Sequence, residues 1–155
     1  MTPTMSRARA PAVGTDVLLV EDNADDADLT RSALQRASIA DGVVHVEDGA
    51  QAIDYLFGDA AGARAATLKF ILLDLKLPKV DGLEVLRRVR ADERTRKLPV
   101  VILSSSQERR DIEESYRLGV SSYIVKPIAF DQYMAVVADL GRYWGQLNRS
   151  LVDSH

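Results

Sequence analysis

Four stretches of the chain are apolar without alternation: DVLLV (Asp16–Val20), KFILLD (Lys69–Asp74), PVVILS (Pro99–Ser104) and SYIVK (Ser122–Lys126). VVHVE (Val43–Glu47) is a weaker fifth. Short β-branched or leucine-rich runs of this kind predict strands buried on both faces, as in a parallel sheet. Helical spacing fills the intervals. Asp25–Ala37 sets Ala27, Leu34 and Ala37 on one face, and Asp48 is placed to cap a helix carrying Ala52, Ile53, Leu56 and Phe57. Gly82–Ala91 spaces Leu83, Leu86 and Val89, while Glu108–Leu118 is more polar, with Ile112, Tyr116 and Leu118 as its apolar side. A last helix is predicted over Phe130–Leu147. Strand and helix alternate five times, which predicts an α/β fold with helices on both faces of a parallel sheet.

The strand ends change the picture. The first run ends in Glu21-Asp22, the third in Asp74, the fourth in Ser104 and the fifth in Lys126-Pro127. In open α/β sheets ligands bind outside the carboxyl ends of the strands. Parallel strands bring these ends to one edge, where three acids, a hydroxyl and an ammonium would share a crevice. Singly, an Asp at a strand end is a turn residue, Ser104 a loop or cap residue, and Lys126 a surface lysine. Carboxylates 4 Å apart repel by about 1 kcal/mol in bulk water and about 4 kcal/mol at an effective dielectric near 20, so the crevice calls for cations. Lys126 supplies one charge, and the oxygen-rich remainder suits Mg²⁺ (or Mn²⁺). An Asp beside such a metal and an ammonium can attack a phosphoryl group and carry it as an aspartyl phosphate.

Composition narrows the classes. The 155 residues are 46% hydrophobic and 28% charged, with net charge −3 and no cysteine. That is ordinary for a globular domain. It argues against a generally basic nucleic-acid binder, excludes thiolate zinc sites and is compatible with the cytosol, where we expect the protein. No apolar run approaches the roughly 18 residues of a membrane span. Residues 1–14 and 149–155 are expected to be tails flanking one domain over 15–148. The Gly58–Leu68 loop is expected to be small and flexible, without chemistry.

LLVEDN, LLDLKLPKVDG, VVILSSS and SYIVKP, in that order, resemble the receiver domains of two-component response regulators over about Asp16 to Leu147. The resemblance implies a flavodoxin-like, doubly wound sheet in the order 2-1-3-4-5 with five helices. It implies Asp74 as phosphoacceptor, Asp22 as a direct metal ligand, Glu21 as one through water, and the Lys76 backbone carbonyl as another, with little weight on the Lys76 side chain. Ser104 takes the switch-hydroxyl position, where Thr is commoner, Tyr123 is the switch aromatic and Lys126 pairs with the phosphate. The Lys126–Pro127 bond is expected to be cis. EDNADDADLTRSAL, LDLKLPKVDG, SSSQERRDIEESYRLGVSSYIVKPIAFDQY and RYW are most similar to phytochrome-associated response regulators, stand-alone receivers that form homodimers through the last helix. Phe130, Tyr133, Met134, Val137, Leu140, Tyr143 and Trp144 exceed one helical stripe, which fits such a partner surface. The expected partner is a sensor histidine kinase of the photoreceptor type. The segment after Pro127 has room for one helix and a frayed end, so no output domain is expected.

Several residues carry bland readings. Asp25 and Asp26 read as first-turn acids favoured by the helix dipole rather than a wider metal site. Arg87–Lys97 holds six basic residues, but Asp92 and Glu93 interrupt them, as on a solvated helix end. His45 reads as structural, away from the acid edge, and His155 as terminal. An Asp-nucleophile phosphatase using Mg²⁺ is the competing class; it expects a second Asp two residues after the nucleophile, where this chain has Lys76, and no cap domain is evident. A nucleotide-binding module lacks its glycine-rich loop.

Overall fold

The structure is a computed structural model and describes residues 16–37, 42–59 and 65–148. The expected tails and residues 60–64 of the expected flexible loop lie outside the described residues. Five strands, β1 (Val17–Val20), β2 (Val43–Val46), β3 (Phe70–Leu73), β4 (Val100–Ser104) and β5 (Ser122–Val125), form one sheet. All pairs are parallel and the order is β2-β1-β3-β4-β5. Among the described residues five α-helices flank them: α1 (Ala24–Arg36), α2 (Gly49–Phe57), α3 (Gly82–Ala91), α4 (Arg109–Arg117) and α5 (Phe130–Arg142). A π-helical turn, Tyr143–Leu147, follows α5. Each strand is shorter than its apolar run by one or two residues, so Glu21, Asp74 and Lys126 stand just beyond strands and only Ser104 ends one.

Strand alternation divides the core. Val17, Leu19, Phe70, Leu72, Val101 and Leu103 pack with α1 and α5, while Leu18, Val20, Ile71, Leu73, Val100 and Ile102 pack with α2 and α3. Both faces of β1, β3 and β4 are therefore apolar, which is why these runs do not alternate. Burial of one such Leu or Ile is worth about 1.5–3 kcal/mol. β2 and β5 are the edge strands and are only partly buried. Three caps fix helix starts: Asn23 accepts from the Asp26 amide (2.9 Å), Asp48 from Gln51 (2.8 Å) and Asp81 from Glu84 (3.0 Å).

Three expectations need correction. The inward face of α4 is Asp111 and Ser115; Tyr116 is exposed and Ile112 and Leu118 are half-buried. Asp111 is satisfied there by the Ser106 hydroxyl (2.6 Å), and Ser115 donates to the Asp111 carbonyl (2.7 Å), so a polar face can be buried. Among the described residues no peptide bond is cis, so Lys126–Pro127 is trans, the isomer an X–Pro bond favours by about 0.5–1 kcal/mol unless tertiary contacts override it. Finally, Tyr133, Met134 and Val137 do not form a surface. They are buried, and so is Leu140, because α5 packs against both the sheet and α1, with the Tyr133 hydroxyl 3.0 Å from that of Thr30. A helix touching two layers needs more than one apolar stripe. Phe130 and Tyr143 remain exposed, Trp144 is half-buried, and Ile128 and Leu147 add to the exposed set.

Candidate functional site

The site lies at the carboxyl edge of the sheet, between β1, β3 and β5. Strand β1 delivers Glu21 and Asp22, β3 delivers Asp74, and β5 delivers Lys126. Glu21 and Asp74 are buried and Asp22 is exposed. One carboxylate oxygen from each acid lies within 4.8 Å of the other two. The Lys126 Nζ donates to Glu21 Oε1 (2.8 Å), Asp26 Oδ2 (2.8 Å) and Asp74 Oδ2 (3.0 Å). Glu21 Oε2 accepts from the Asn23 amide (3.1 Å), and Asp74 Oδ1 lies 3.4 Å from the Lys76 amide.

The turn behind Asp74 is locally determined. Leu77 N–H donates to the Leu75 carbonyl (3.1 Å) and Val80 N–H to that of Pro78 (2.8 Å), two tight turns in succession. Lys79, between the second pair, has φ 69°, a conformation uncommon for non-glycine residues and costly by about 1–3 kcal/mol. Gly82 is required by approach rather than by φ: a Cβ there would meet the Asp74 carbonyl oxygen at 2.3 Å. The turn thus doubles back onto the strand end that holds Asp74, and an open cleft of about 400 Å³ lies beside it, lined by Asp22, Lys76, Pro78, Asp81 and Asp111 among others.

Electrostatics follow from burial. Glu21 is pushed up to about 7, chiefly by desolvation, with the Asp74 charge adding and the Lys126 hydrogen bond opposing. Burial alone would lower the Lys126 ammonium, but hydrogen bonds to Asp26 and Glu21 and the charges of Asp74 and Glu21 outweigh it and hold the group above the ordinary lysine value. One ammonium therefore faces three carboxylates directly, with Asp22 as a fourth acid at the rim. That donor set, all oxygen and in excess negative charge, fits a hard divalent cation.

Ser104 and Tyr123, expected as the switch pair, belong to a second cluster. Ser104 is fully buried, and its Oγ accepts from the Ser106 amide (3.3 Å). The Tyr123 hydroxyl donates to the Ser106 carbonyl (2.9 Å), and burial raises Tyr123 above its ordinary value. The Ser106 hydroxyl donates to Asp111, holding that carboxyl below its usual range. Lys76 Nζ also reaches Asp111 (3.6 Å), so the Lys76 side chain, expected to matter little, bridges the β3 turn to α4.

Two further residues belong here. Asp26 pairs with Lys126, and its cue was its place one helical turn past Asp22. Ser106 ties Ser104, Tyr123 and Asp111 together, and nothing in the SSS run singled it out. His45 is also nearer the acid edge than expected: its Nε2 lies 2.7 Å from the Glu21 carbonyl, bracing the backbone of a site residue from the neighbouring strand. The basic run is largely consumed internally. Arg87 pairs with Glu84, Arg94 with Asp92, and Arg88 and Arg94 lie over the Phe57 ring at 5.6 and 5.5 Å. No helix among the described residues is long and apolar enough to cross a membrane.

The sheet order and the acid–lysine edge define a receiver of the response-regulator class, and the chain belongs to that family: the response regulator receiver domain model matches residues 17–138. Among curated proteins it is 40% identical over 134 residues, 86% of each chain, to a probable methanogenesis regulatory protein, FilR2, of Methanothrix harundinacea. Among solved structures it is 48% identical to the bacteriophytochrome response regulator RtBRR (92% of this chain, 87% of that one, TM-score 0.66). It is 37% identical to the phosphorylated cyanobacterial phytochrome response regulator RcpA (90% and 99%, TM-score 0.82). It is 30% identical to the Mn²⁺-bound form of response regulator Rcp1 (88% and 98%, TM-score 0.78), a protein of Synechocystis. The chain is thus a receiver related to phytochrome response regulators.

Proposed function

We propose that Asp74 accepts a phosphoryl group from the phosphohistidine of a sensor kinase, with a divalent cation in the acid pocket, and that the modified domain switches a protein-binding face. The observation carrying this reading is one buried carboxylate, Asp74, flanked at 3.0 Å by the Lys126 ammonium and within 4.8 Å of Glu21 and Asp22 oxygens.

In the reaction an Asp74 oxygen attacks phosphorus and the bond from phosphorus to the imidazole nitrogen breaks, leaving its electron pair on the ring. The product is an acyl phosphate. Lys126 stays protonated and donates to a phosphoryl oxygen. Glu21, Asp22, Asp74 and the Lys76 carbonyl would hold Mg²⁺ or Mn²⁺, which when bound neutralises charge on the phosphoryl oxygens. The bound metal of the Rcp1 structure and the phosphorylated state of RcpA support this for relatives.

Ser104 then offers its hydroxyl to the phosphoryl group and leaves the Ser106 amide, freeing Ser106 to rearrange with Tyr123 and Asp111. The affected face runs through α4, β5, α5 and the π-helical turn after it, where Phe130 and Tyr143 are exposed, and we assign a second copy of the chain to it. The receiver unit spans 15–148. The kinase is a phytochrome-type photoreceptor, on the likeness to RtBRR and RcpA. The unit is a phosphoacceptor that loses the group by slow self-dephosphorylation rather than a hydrolase of phosphate esters: the second acid of that class is replaced by Lys76, whose ammonium lies 3.6 Å from Asp111.

Asp74→Asn is the test. Incubated with phosphorylated kinase or a small acyl phosphate in Mg²⁺, wild type should be labelled and the variant should not. Undiminished labelling of the variant would sink the assignment.

A further inference from the structure

An ammonium has three N–H donors, and in Lys126 all three are taken, by Glu21, Asp26 and Asp74. A phosphoryl oxygen that is to receive a hydrogen bond from Lys126 must therefore displace one of them. The three are not equivalent. The Glu21 and Asp74 side chains are 3% and 9% exposed, and releasing either leaves a buried carboxylate without its counter-charge. The Asp26 side chain, in the first turn of α1, is 29% exposed and can regain water on release. Asp26 is also an extra negative charge within reach of the incoming anion.

We propose that Asp26 is a positioning residue, a latch that holds Lys126 in the resting site and yields its N–H to the phosphoryl group. The inference rests on the Asp74 reading. It gives Asp26 a role separate from that of the metal-binding acids. The resting pair fixes the Lys126 ammonium, at the cost of competing for it. Release of the pair also unties α1 from the turn between β5 and α5.

The latch has a definite sign. Asp26→Asn keeps the shape and a hydrogen-bond acceptor but removes the charge, so Lys126 should pass more readily to phosphoryl oxygens. With the full chain in Mg²⁺, half-saturation by beryllofluoride, an unreactive phosphoryl mimic, should need about three- to tenfold less in D26N, and the KM for acetyl phosphate should fall alongside it with a smaller change in kcat. Asp26→Ser should move in the same direction, and Asp26→Glu, which can re-form the pair, should stay near wild type. A readout without metal is the ¹⁵N signal of the Lys126 ammonium, protected from exchange in wild type and D26E and lost in D26N. Unchanged or higher half-saturation in both D26N and D26S overturns the latch. If D74N is labelled like wild type, the Asp74 reading fails instead; a silent D74N beside a wild-type-like D26N removes the latch alone.

Discussion

Two cations sit at opposite edges of the same sheet and are used in opposite ways. Lys126, beyond the carboxyl end of β5, is surrounded by carboxylates. Arg90, at the end of α3, lies beside the amino ends of β4 and β5 and is surrounded by neutral groups. It donates to the carbonyls of Gly119 (2.8 Å), Arg96 (3.1 Å) and Leu98 (2.6 Å) and lies 3.4 Å from the Ser121 hydroxyl. Burial lowers the Arg90 guanidinium, and no anion reverses the shift. Lys126 is shifted upward because anions do. A cation among carbonyls is a finished bracket, its donors used and its partners satisfied. A cation among more acids than it can neutralise leaves residual charge and attracts a ligand. This difference separates scaffold from site more cleanly than burial does, since both residues are partly buried.

The largest stability change should come from the bracket. Arg90→Ala strands the Leu98 and Gly119 carbonyls and unpins the segment between α3 and β4, a loss of about 2–3 kcal/mol in urea melts. Arg90→Lys should restore little of it, because one point charge cannot serve carbonyls in several directions. Phosphoryl labelling per folded molecule should be unchanged. A fall in labelling beyond the folded fraction would show that the two edges are not separable.

Lys126→Ala should do the reverse: labelling falls steeply while stability falls by about 1–2 kcal/mol without divalent cation, since Glu21, Asp26 and Asp74 are left to repel one another. Mg²⁺ should rescue this variant more than it helps wild type, because the ammonium no longer competes for the acids. A smaller Mg²⁺ response than wild type would contradict the picture of excess charge. In wild type itself, Mg²⁺ at about tenfold over its Kd should stabilise by about 1.4 kcal/mol, raising Tm by about 3–6 °C. A flat Tm across millimolar Mg²⁺ would argue that the acids do not act together.

The sequence made one edge legible and left the other silent, for a physical reason. Glu21, Asp22, Asp74 and Lys126 each follow an apolar run, and parallel strands must place such ends together, so topology alone assembles them. Arg90 acts through main-chain carbonyls, which leave no side-chain signature, and it is hidden inside a basic run that reads as a solvated helix end. Asp26 escapes because a first-turn acid is favoured by the helix dipole whether or not it reaches across the sheet. The polar inner face of α4 and the buried Tyr133 and Met134 escape for a related reason. Periodicity reports how apolar a face is, whereas partners such as Ser106 and Thr30 decide whether a polar group can be buried. The trans Lys126–Pro127 bond is the isomer an X–Pro bond adopts by default, and the expectation of cis rested on the resemblance rather than on any residue pattern.

The smallest expected effect tests the contrast at its exposed limit. Asp92 ends α3 next to Arg90 and is paired with Arg94, accepting from its backbone amide (2.8 Å), Nε (3.0 Å) and Nη2 (2.9 Å). Those bonds, led by the side-chain contact, lower its carboxyl from 3.8 to about 2. A carboxyl depressed in the folded state stabilises it fully above the ordinary value, and that contribution is lost as the pH falls from 3.8 toward 2. Asp92→Asn should therefore melt slightly below wild type at pH 6, with the gap closing by pH 2 and narrowing in 1 M salt, because solvent and ions screen an exposed pair. A gap that holds constant with pH and salt would mean that Asp92 acts through the backbone turn it caps rather than through charge. The exposed pair would then belong with Arg90 as geometry, and charge would matter to this fold only at the carboxyl edge.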